Sequence, residues 1–177
     1  MICQENPTQQ SSPDLAEKQN QKDARRLLGR MGDSVAVLKM TQVELSYLAG
    51  IIDGEGCIYI EPNRTGKAFR LRLVIVSTDK VLIDWIVLKT GLGTVQEKPE
   101  KLNRRKVFQF RISSVQAASV LVLVKPFLVI KQIQSEIAIA FNDGKNKLKR
   151  NAPPESQMED NRIFQAICHR ELKWLHQ

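Results

Sequence analysis

Two carboxylates, Asp53 and Glu55, stand in Leu48-Ala49-Gly50-Ile51-Ile52-Asp53-Gly54-Glu55-Gly56, where an apolar helical repeat gives way to strand alternation. Thr41 and Glu44 have capping-box spacing, which starts a helix near Gln42. Val43, Leu45, Leu48, Ile51 and Ile52 continue it at helical spacing until Gly54 or Gly56 stops it. Both acids therefore fall at a helix C-terminus, where the macrodipole is already negative and Lys would be the favourable residue. Ser46, Gly50 and Gly54 recur every four residues, a stripe without bulk that lets a second helix backbone approach closely. Gly inside a helix costs about 1 kcal/mol against Ala, so something must offset it. If two copies of the helix pair through that stripe, their terminal carboxylates converge. The simplest relief for such a cluster is a hard divalent cation taking oxygen ligands. Local rules broken without local compensation mark a functional site.

The elements around these acids follow from the same local rules. Cys57 to Glu61 alternate as a strand, Pro62-Asn63-Arg64-Thr65-Gly66-Lys67 supplies a turn, and Phe69 to Ser77 form the return strand. That strand puts Arg70 and Arg72 on one face and Phe69, Leu71, Leu73 and Ile75 on the other. From Thr78 a helix carries Val81, Leu82, Trp85, Ile86 and Leu88 and closes at Gly91-Leu92-Gly93. A second hairpin pairs Thr94 to Lys98 with Lys106 to Ile112 around the basic connection 99–105. Ser113 or Ser114 caps the next helix, which runs through Val124 until Pro126 breaks it. Another helix opens at Lys131-Gln132-Ile133-Gln134 and runs to about Phe141, with Asn142-Asp143-Gly144 as its stop. The order predicts an α+β fold with an αββαββα core: a four-stranded antiparallel sheet with its helices on one face.

Residues 1–40, rich in Gln, Asn, Ser and charge, read as a disordered extension or as loosely helical around Ala24 to Leu28. Residues 41–142 form the core unit. Residues 143–177 are a basic linker, Lys145 to Arg150, followed beyond Pro153-Pro154 by an amphipathic helix over Asn161 to His176 packed on the core.

Composition narrows the class of partner. Lys and Arg outnumber Asp and Glu by 27 to 19, for a net charge of +8 over 177 residues, which favours a polyanion. Cys3, Cys57 and Cys168 form no Cys/His cluster, and His169 and His176 lack partners at ligand spacing, so a disulfide framework and a structural zinc site are excluded. No apolar run approaches a membrane span, which predicts a soluble intracellular protein, of cytoplasm or organelle, without a membrane partner. Trp85 and Trp174 sit at apolar helical positions, as core residues do, and Cys57 reads as a small packed residue.

At the nonapeptide the chain resembles the LAGLIDADG homing endonucleases, matching their signature at Leu48, Ala49, Gly50, Ile52, Asp53 and Gly56. Ile51 is a conservative exchange, and Gly54-Glu55 replaces the Ala-Asp of the family name, keeping a carboxylate on a longer arm. A second stretch, Leu123-Val124-Lys125-Pro126-Phe127-Leu128-Val129-Ile130-Lys131-Gln132-Ile133-Gln134, is similar to the family's Pro-Phe-Leu followed by Lys and Gln. The element order over residues 42–141 agrees with the family core.

The resemblance implies roles residue by residue. Glu55 takes the place of the metal-binding catalytic carboxylate, with Asp53 beside it as a second metal ligand. Lys131 matches the basic residue beside the scissile phosphate, and Asp79, or Thr78 after a shift by one, matches a polar residue that positions water. Mg²⁺ is the implied cofactor, with Mn²⁺ or Ca²⁺ able to occupy the same place. Members with one motif act as homodimers, which here puts Ser46, Ala49, Gly50, Asp53 and Gly54 at the dimer interface. The implied partner is double-stranded DNA, cut on both strands of a long pseudo-palindromic target. The polar parity of the strands offers Tyr59, Glu61 and Asn63, then Arg70 and Arg72, then Gln96 and Lys98, then Gln109 and Arg111 as DNA-binding residues. Two other readings share this scaffold: a maturase that binds its host intron RNA, and a DNA-binding regulator that does not cut.

Overall fold

The computed structural model describes residues 13–29, 39–65, 68–99 and 105–146. In chain order the elements are α1 (Pro13–Leu28), α2 (Gln42–Glu55), β1 (Gly56–Pro62), β2 (Phe69–Ser77), α3 (Lys80–Thr90), β3 (Thr94–Lys98), β4 (Val107–Ser113), α4 (Ser114–Val124) and α5 (Gln132–Asn146), with a 3-10 turn at Lys125–Phe127. The capping box starts α2: the Glu44 N–H donates to the Thr41 hydroxyl, and the Thr41 N–H donates to the Glu44 carboxylate. The helix passes straight into β1 at Gly56. A Cβ on Gly56 would lie 2.6 Å from the Ile52 carbonyl oxygen and 2.8 Å from the Ile52 Cα, so only glycine permits this close helix-to-strand passage.

The strands form one four-stranded antiparallel sheet in the order β1-β2-β4-β3. Ile58, Ile60, Leu71, Leu73, Ile75, Phe110 and Ile112 are buried on one face. They share a single core with Leu48 and Ile52 of α2, Ile83 and Ile86 of α3, and Leu121 and Val124 of α4. This is the predicted α+β arrangement, and it leaves the other face of the sheet to polar side chains. Pro126 ends α4 as the sequence predicts, since its ring cannot continue the hydrogen-bond ladder. Ser113, the last residue of β4, occupies the N-cap of α4 but makes no side-chain cap bond.

Three expectations change. The segment read as a disordered extension, or as loosely helical around Ala24 to Leu28, contains the longer helix α1, which packs on α4 and buries Ala24 and Leu28. The cause lies in α4, whose residues from Ala117 to Val124 are all buried; a helix apolar all round needs cover on the side away from the sheet. Residues 143–146, assigned to a linker, continue α5, and Gly144 does not stop it. Phe141 and Asn142 are held in the interior, and that packing outweighs the roughly 1 kcal/mol helix penalty of glycine. Val43, Val81 and Leu88, read as inward-facing, are 79%, 75% and 74% exposed. The basic run from Lys147 onward and the C-terminal helix lie outside the described residues, as do residues 1–12 and 30–38.

Two glycines of the same helix should respond in opposite ways. Gly56→Ala should destabilise by about 1–3 kcal/mol through the backbone clash at Ile52. Gly50→Ala, with no heavy atom within 4 Å of its Cβ, should be neutral or stabilise the chain by up to about 1 kcal/mol. Urea unfolding of both variants measures this, and equal effects would refute the assignment of Gly56 as a packing glycine and Gly50 as an open one.

Candidate functional site

The site is assembled where α2 ends, β1 begins and α5 begins. Asp53, one turn before Gly56, turns its carboxylate toward the loop that leads into α5. One oxygen accepts the Val129 N–H at 2.8 Å and the Ile130 N–H at 3.3 Å, and the other accepts the Lys131 N–H at 2.9 Å. Three backbone donors at a helix start are thus satisfied by an acid from a distant helix. The same residue's backbone carbonyl accepts a hydrogen bond from the Lys131 ammonium. Asp53, expected as a metal ligand, holds α5 and Lys131 in this structure.

Lys131 is only 7% exposed. Burial pushes its ammonium below the usual lysine range, while the negative charge available on Asp53, Cys57 and Glu55 pulls it back up. Those partners place Lys131 electrostatically between the two acids and Cys57. The Cys57 thiol is pushed up by burial and eased down by Lys131, so it stays protonated at neutral pH. Glu55, the last residue of α2, is exposed. It is therefore the carboxylate free to meet a ligand.

Asp79 is the N-cap of α3, accepting the Val81 N–H at 2.8 Å, and its own N–H donates to the Ser77 hydroxyl at 3.0 Å. The register pairs Gly56 with Ile75, so the end of β2 and Asp79 lie at the same end of the sheet as Glu55. The cap accounts for one of its carboxylate oxygens, and the residue is exposed.

The register brings the remaining candidates to one face. Across β1 and β2, Tyr59 pairs with Arg72, Glu61 with Arg70 and Cys57 with Val74; across β2 and β4, Val74 pairs with Arg111 and Val76 with Gln109; across β4 and β3, Gln109 pairs with Gln96 and Val107 with Lys98. Adjacent residues in register share a face, so Tyr59, Glu61, Arg70, Arg72, Gln96, Lys98, Gln109 and Arg111 all lie opposite the helices. Asn63 does not join them: its side-chain oxygen accepts from the Thr65 hydroxyl and the Ala68 N–H, which closes the β1–β2 turn. Gln109 is largely buried between its neighbours and accepts from Arg111. Burial raises the Tyr59 hydroxyl, Glu61 adds to the shift, and Arg111 and Arg72 oppose it, so these four polar groups are near one another.

Along α2, Ser46, Gly50 and Gly54 are exposed, and among the described residues nothing comes within 4 Å of a Cβ on either glycine. Ala49, assigned to a partner interface, is instead fully buried in the chain's own core, because it lies on the side of α2 that carries Leu45, Leu48 and Ile52. Sequence reading missed the apolar residues around the open stripe: Val43 and Tyr47 on α2, and Val129 and Ile130 beside Asp53, are exposed by 79%, 56%, 84% and 53%. Val43 and Tyr47 share the helical spacing of Gly50 and Gly54, which was a readable signal. Tyr47 meets Trp85 of α3 edge-on, with centroids 5.0 Å apart.

No protein-family model and no curated protein matches the chain. Solved structures do. The homing endonuclease I-CvuI, in complex with the I-CreI target and Mg with the DNA not cleaved, superposes with a TM-score of 0.61 at 20% identity over 73% of this chain and 82% of that one. The LAGLIDADG homing endonuclease I-LtrWI, bound to target DNA, gives a TM-score of 0.51 at 22% identity, covering 71% of this chain and 44% of that one. I-CvuI with its own target and Ca gives 0.50 at 19% identity, covering 72% and 96%.

Asp53→Ala should remove the acceptor of three loop donors and cost about 1–3 kcal/mol in denaturant unfolding, with Asp53→Asn costing less because one oxygen remains. Lys131 behaves oppositely. Its lowered pKa means that the protonated form is disfavoured by folding, a penalty present below the folded value and removed as pH rises toward 10.5. Lys131→Met should therefore melt no lower than the parent at pH 7, and any advantage should shrink in alkali; a clear loss of melting temperature would refute the desolvation argument.

Proposed function

From the premise that this chain has the LAGLIDADG fold, with the motif residues at the helix end and sheet edge, we propose that it is a divalent-cation-dependent endonuclease. It acts as a homodimer and cuts both strands of a long pseudo-palindromic DNA target. One observation carries the reading: an exposed Glu55 and a buried Lys131, held on Asp53, stand at the edge of a sheet whose helix-free face gathers cationic and amide side chains from three of its strands.

The donor set fits a hard cation only when shared. Among the described residues no three His, Cys, Asp or Glu side chains gather, and the Asp53 carboxylate is occupied by backbone donors. Glu55 of one copy, Glu55 of a second copy, phosphate oxygens and water make the kind of oxygen set that Mg²⁺ accepts, with few protein ligands; Mn²⁺ and Ca²⁺ suit the same donors. When bound, the cation supplies charge cancellation on the phosphate and a more acidic water. Lys131 sits beside Glu55 as a fixed positive charge for the scissile phosphate, and Asp53 keeps it there. Asp79 holds the start of α3 at the same end of the sheet, where its free oxygen can order water.

The open stripe of Ser46, Gly50 and Gly54, with Val43 and Tyr47 on the same side, supports pairing of α2 with its copy. Close backbone approach recovers dispersion that glycine forgoes inside one chain, and Val129 and Ile130 extend the apolar surface beside it. The sheets of the two copies then form one concave cationic surface long enough for a major-groove target on each side.

The purified protein should cut a plasmid carrying the rejoined flanks of its coding element at one locus, on both strands, with Mg²⁺ and not with EDTA. Glu55→Gln should lower cutting by at least about a hundredfold while leaving binding intact. Tight binding without cutting by the parent chain would turn the reading toward an RNA maturase or a regulator. Gly50→Leu should leave a monomer in sedimentation, and a dimer that survives it would overturn pairing through α2.

A further inference from the structure

The sheet face carries one side-chain arrangement that reaches past general DNA affinity. Arg72 Nε donates to Glu61 Oε1 at 2.6 Å across β1 and β2. The two residues are diagonal neighbours, since Glu61 pairs in register with Arg70 and Arg72 with Tyr59. The Arg72 side chain is 17% exposed and that of Glu61 38%. With the carboxylate still open to water, the pair contributes modestly to stability, on the order of 1 kcal/mol, so folding alone gives scant reason for it. What it does is fix the guanidinium. With Nε engaged, the two terminal NH₂ groups of Arg72 make no hydrogen bond among the described residues. They form the end edge of the fork, the edge that donates two parallel hydrogen bonds to the O6 and N7 of guanine in the major groove.

We propose that Arg72 determines guanine at one position of each half-site and that Glu61 is its positioning residue, touching the arginine and not the DNA. This rests on the DNA reading above and deepens it. Arg72 lies opposite Tyr59, which is the fourth residue after Glu55 along the strand. At about 3.3 Å per residue that is about 13 Å from the site, or roughly four base-pair steps of 3.4 Å. Arg70, opposite Glu61, is exposed while Glu61 bonds Arg72, so Arg70 supplies charge to the backbone and not a fixed fork. Arg111 differs again, since its Nε is buried without a partner and its terminal nitrogen is drawn to Gln109 at 3.4 Å. Of the three arginines on the face, Arg72 is the one whose fork is anchored and whose tip is free.

Selection of duplexes from a randomised pool in EDTA, read by sequencing, tests the assignment with the full chain. The parent should enrich guanine at one symmetric pair of positions about four steps from the centre, by roughly fivefold or more. Arg72→Ala and Arg72→Lys should erase that preference and leave the other positions as they were. Glu61→Ala should relax the same position although the arginine is intact, and Glu61→Gln, which keeps the acceptor oxygen, should restore it. A parent consensus that Arg72→Ala leaves unchanged overturns this inference alone. A consensus lost only for Arg72 and not for Glu61→Ala overturns the positioning role, as does uniformly tighter binding by Glu61→Ala, which would make Glu61 a plain repulsive charge. No consensus for the parent overturns the DNA reading itself.

Discussion

The carboxylate of Asp53 is the joint on which the site depends. It leaves α2 at the negative end of that helix and enters the positive end of α5, where it accepts the N–H groups of Val129, Ile130 and Lys131. An acid disfavoured by one macrodipole is favoured by another, and the opposition at α2 is offset without a metal. The consequence is geometric. Lys131 is fixed by its backbone N–H to the Asp53 side chain and by its ammonium to the Asp53 carbonyl, so its charge cannot wander from the end of α2. Glu55, two residues on, receives no such compensation from the described residues and faces outward. Of the two acids at the helix end, only the second keeps the unresolved electrostatic penalty from which a functional site is inferred.

That division between the acids could not be read from the sequence, because the partners of Asp53 lie 76 to 78 residues away. What was legible was local. Thr41 and Glu44 give the start of α2, Gly91 in the left-handed region closes α3, and alternation gives both faces of β2 as far as Leu73. Val74 then departs from the pattern, buried on the polar face between Cys57 and Arg111, which only the register of neighbouring strands could reveal. α1 was missed for the complementary reason. Its own composition gives little cause to fold, and it is ordered by the need of α4 for cover. Sequence pattern reports what a segment buries on its own behalf. It is silent about what a segment is made to do for another.

The same distinction explains α2. Its apolar residues encircle more of the helix than one core requires: Leu45, Leu48, Ala49, Ile51 and Ile52 are buried, while Val43 and Tyr47 remain in water beside the two glycines. A helix serving one interface would place polar residues on its outer side. Here the outer side is small or apolar, with no described atom within 4 Å of a Cβ at Gly50 or Gly54, a composition that the described residues do not use and that the proposed pairing would. Under the proposed pairing, helix-end chemistry and helix contact become one design, since contact along the stripe would bring two copies of Glu55 toward a common point.

On the sheet the balance between affinity and discrimination is set by how much of the positive charge is tied down. A net charge of +8 draws the chain to any polyanion, and contacts through free lysine and arginine would fall steeply with salt while telling no sequence from another. Glu61 removes one unit of that charge from the face and in return fixes the orientation of Arg72. The lost attraction is felt equally on every sequence, whereas a fixed fork gains only where a guanine meets it. If the sheet faces DNA as proposed, an acid on it lowers binding everywhere and raises the difference between right and wrong sites, which for the proposed double-strand cutter is the quantity that limits damage.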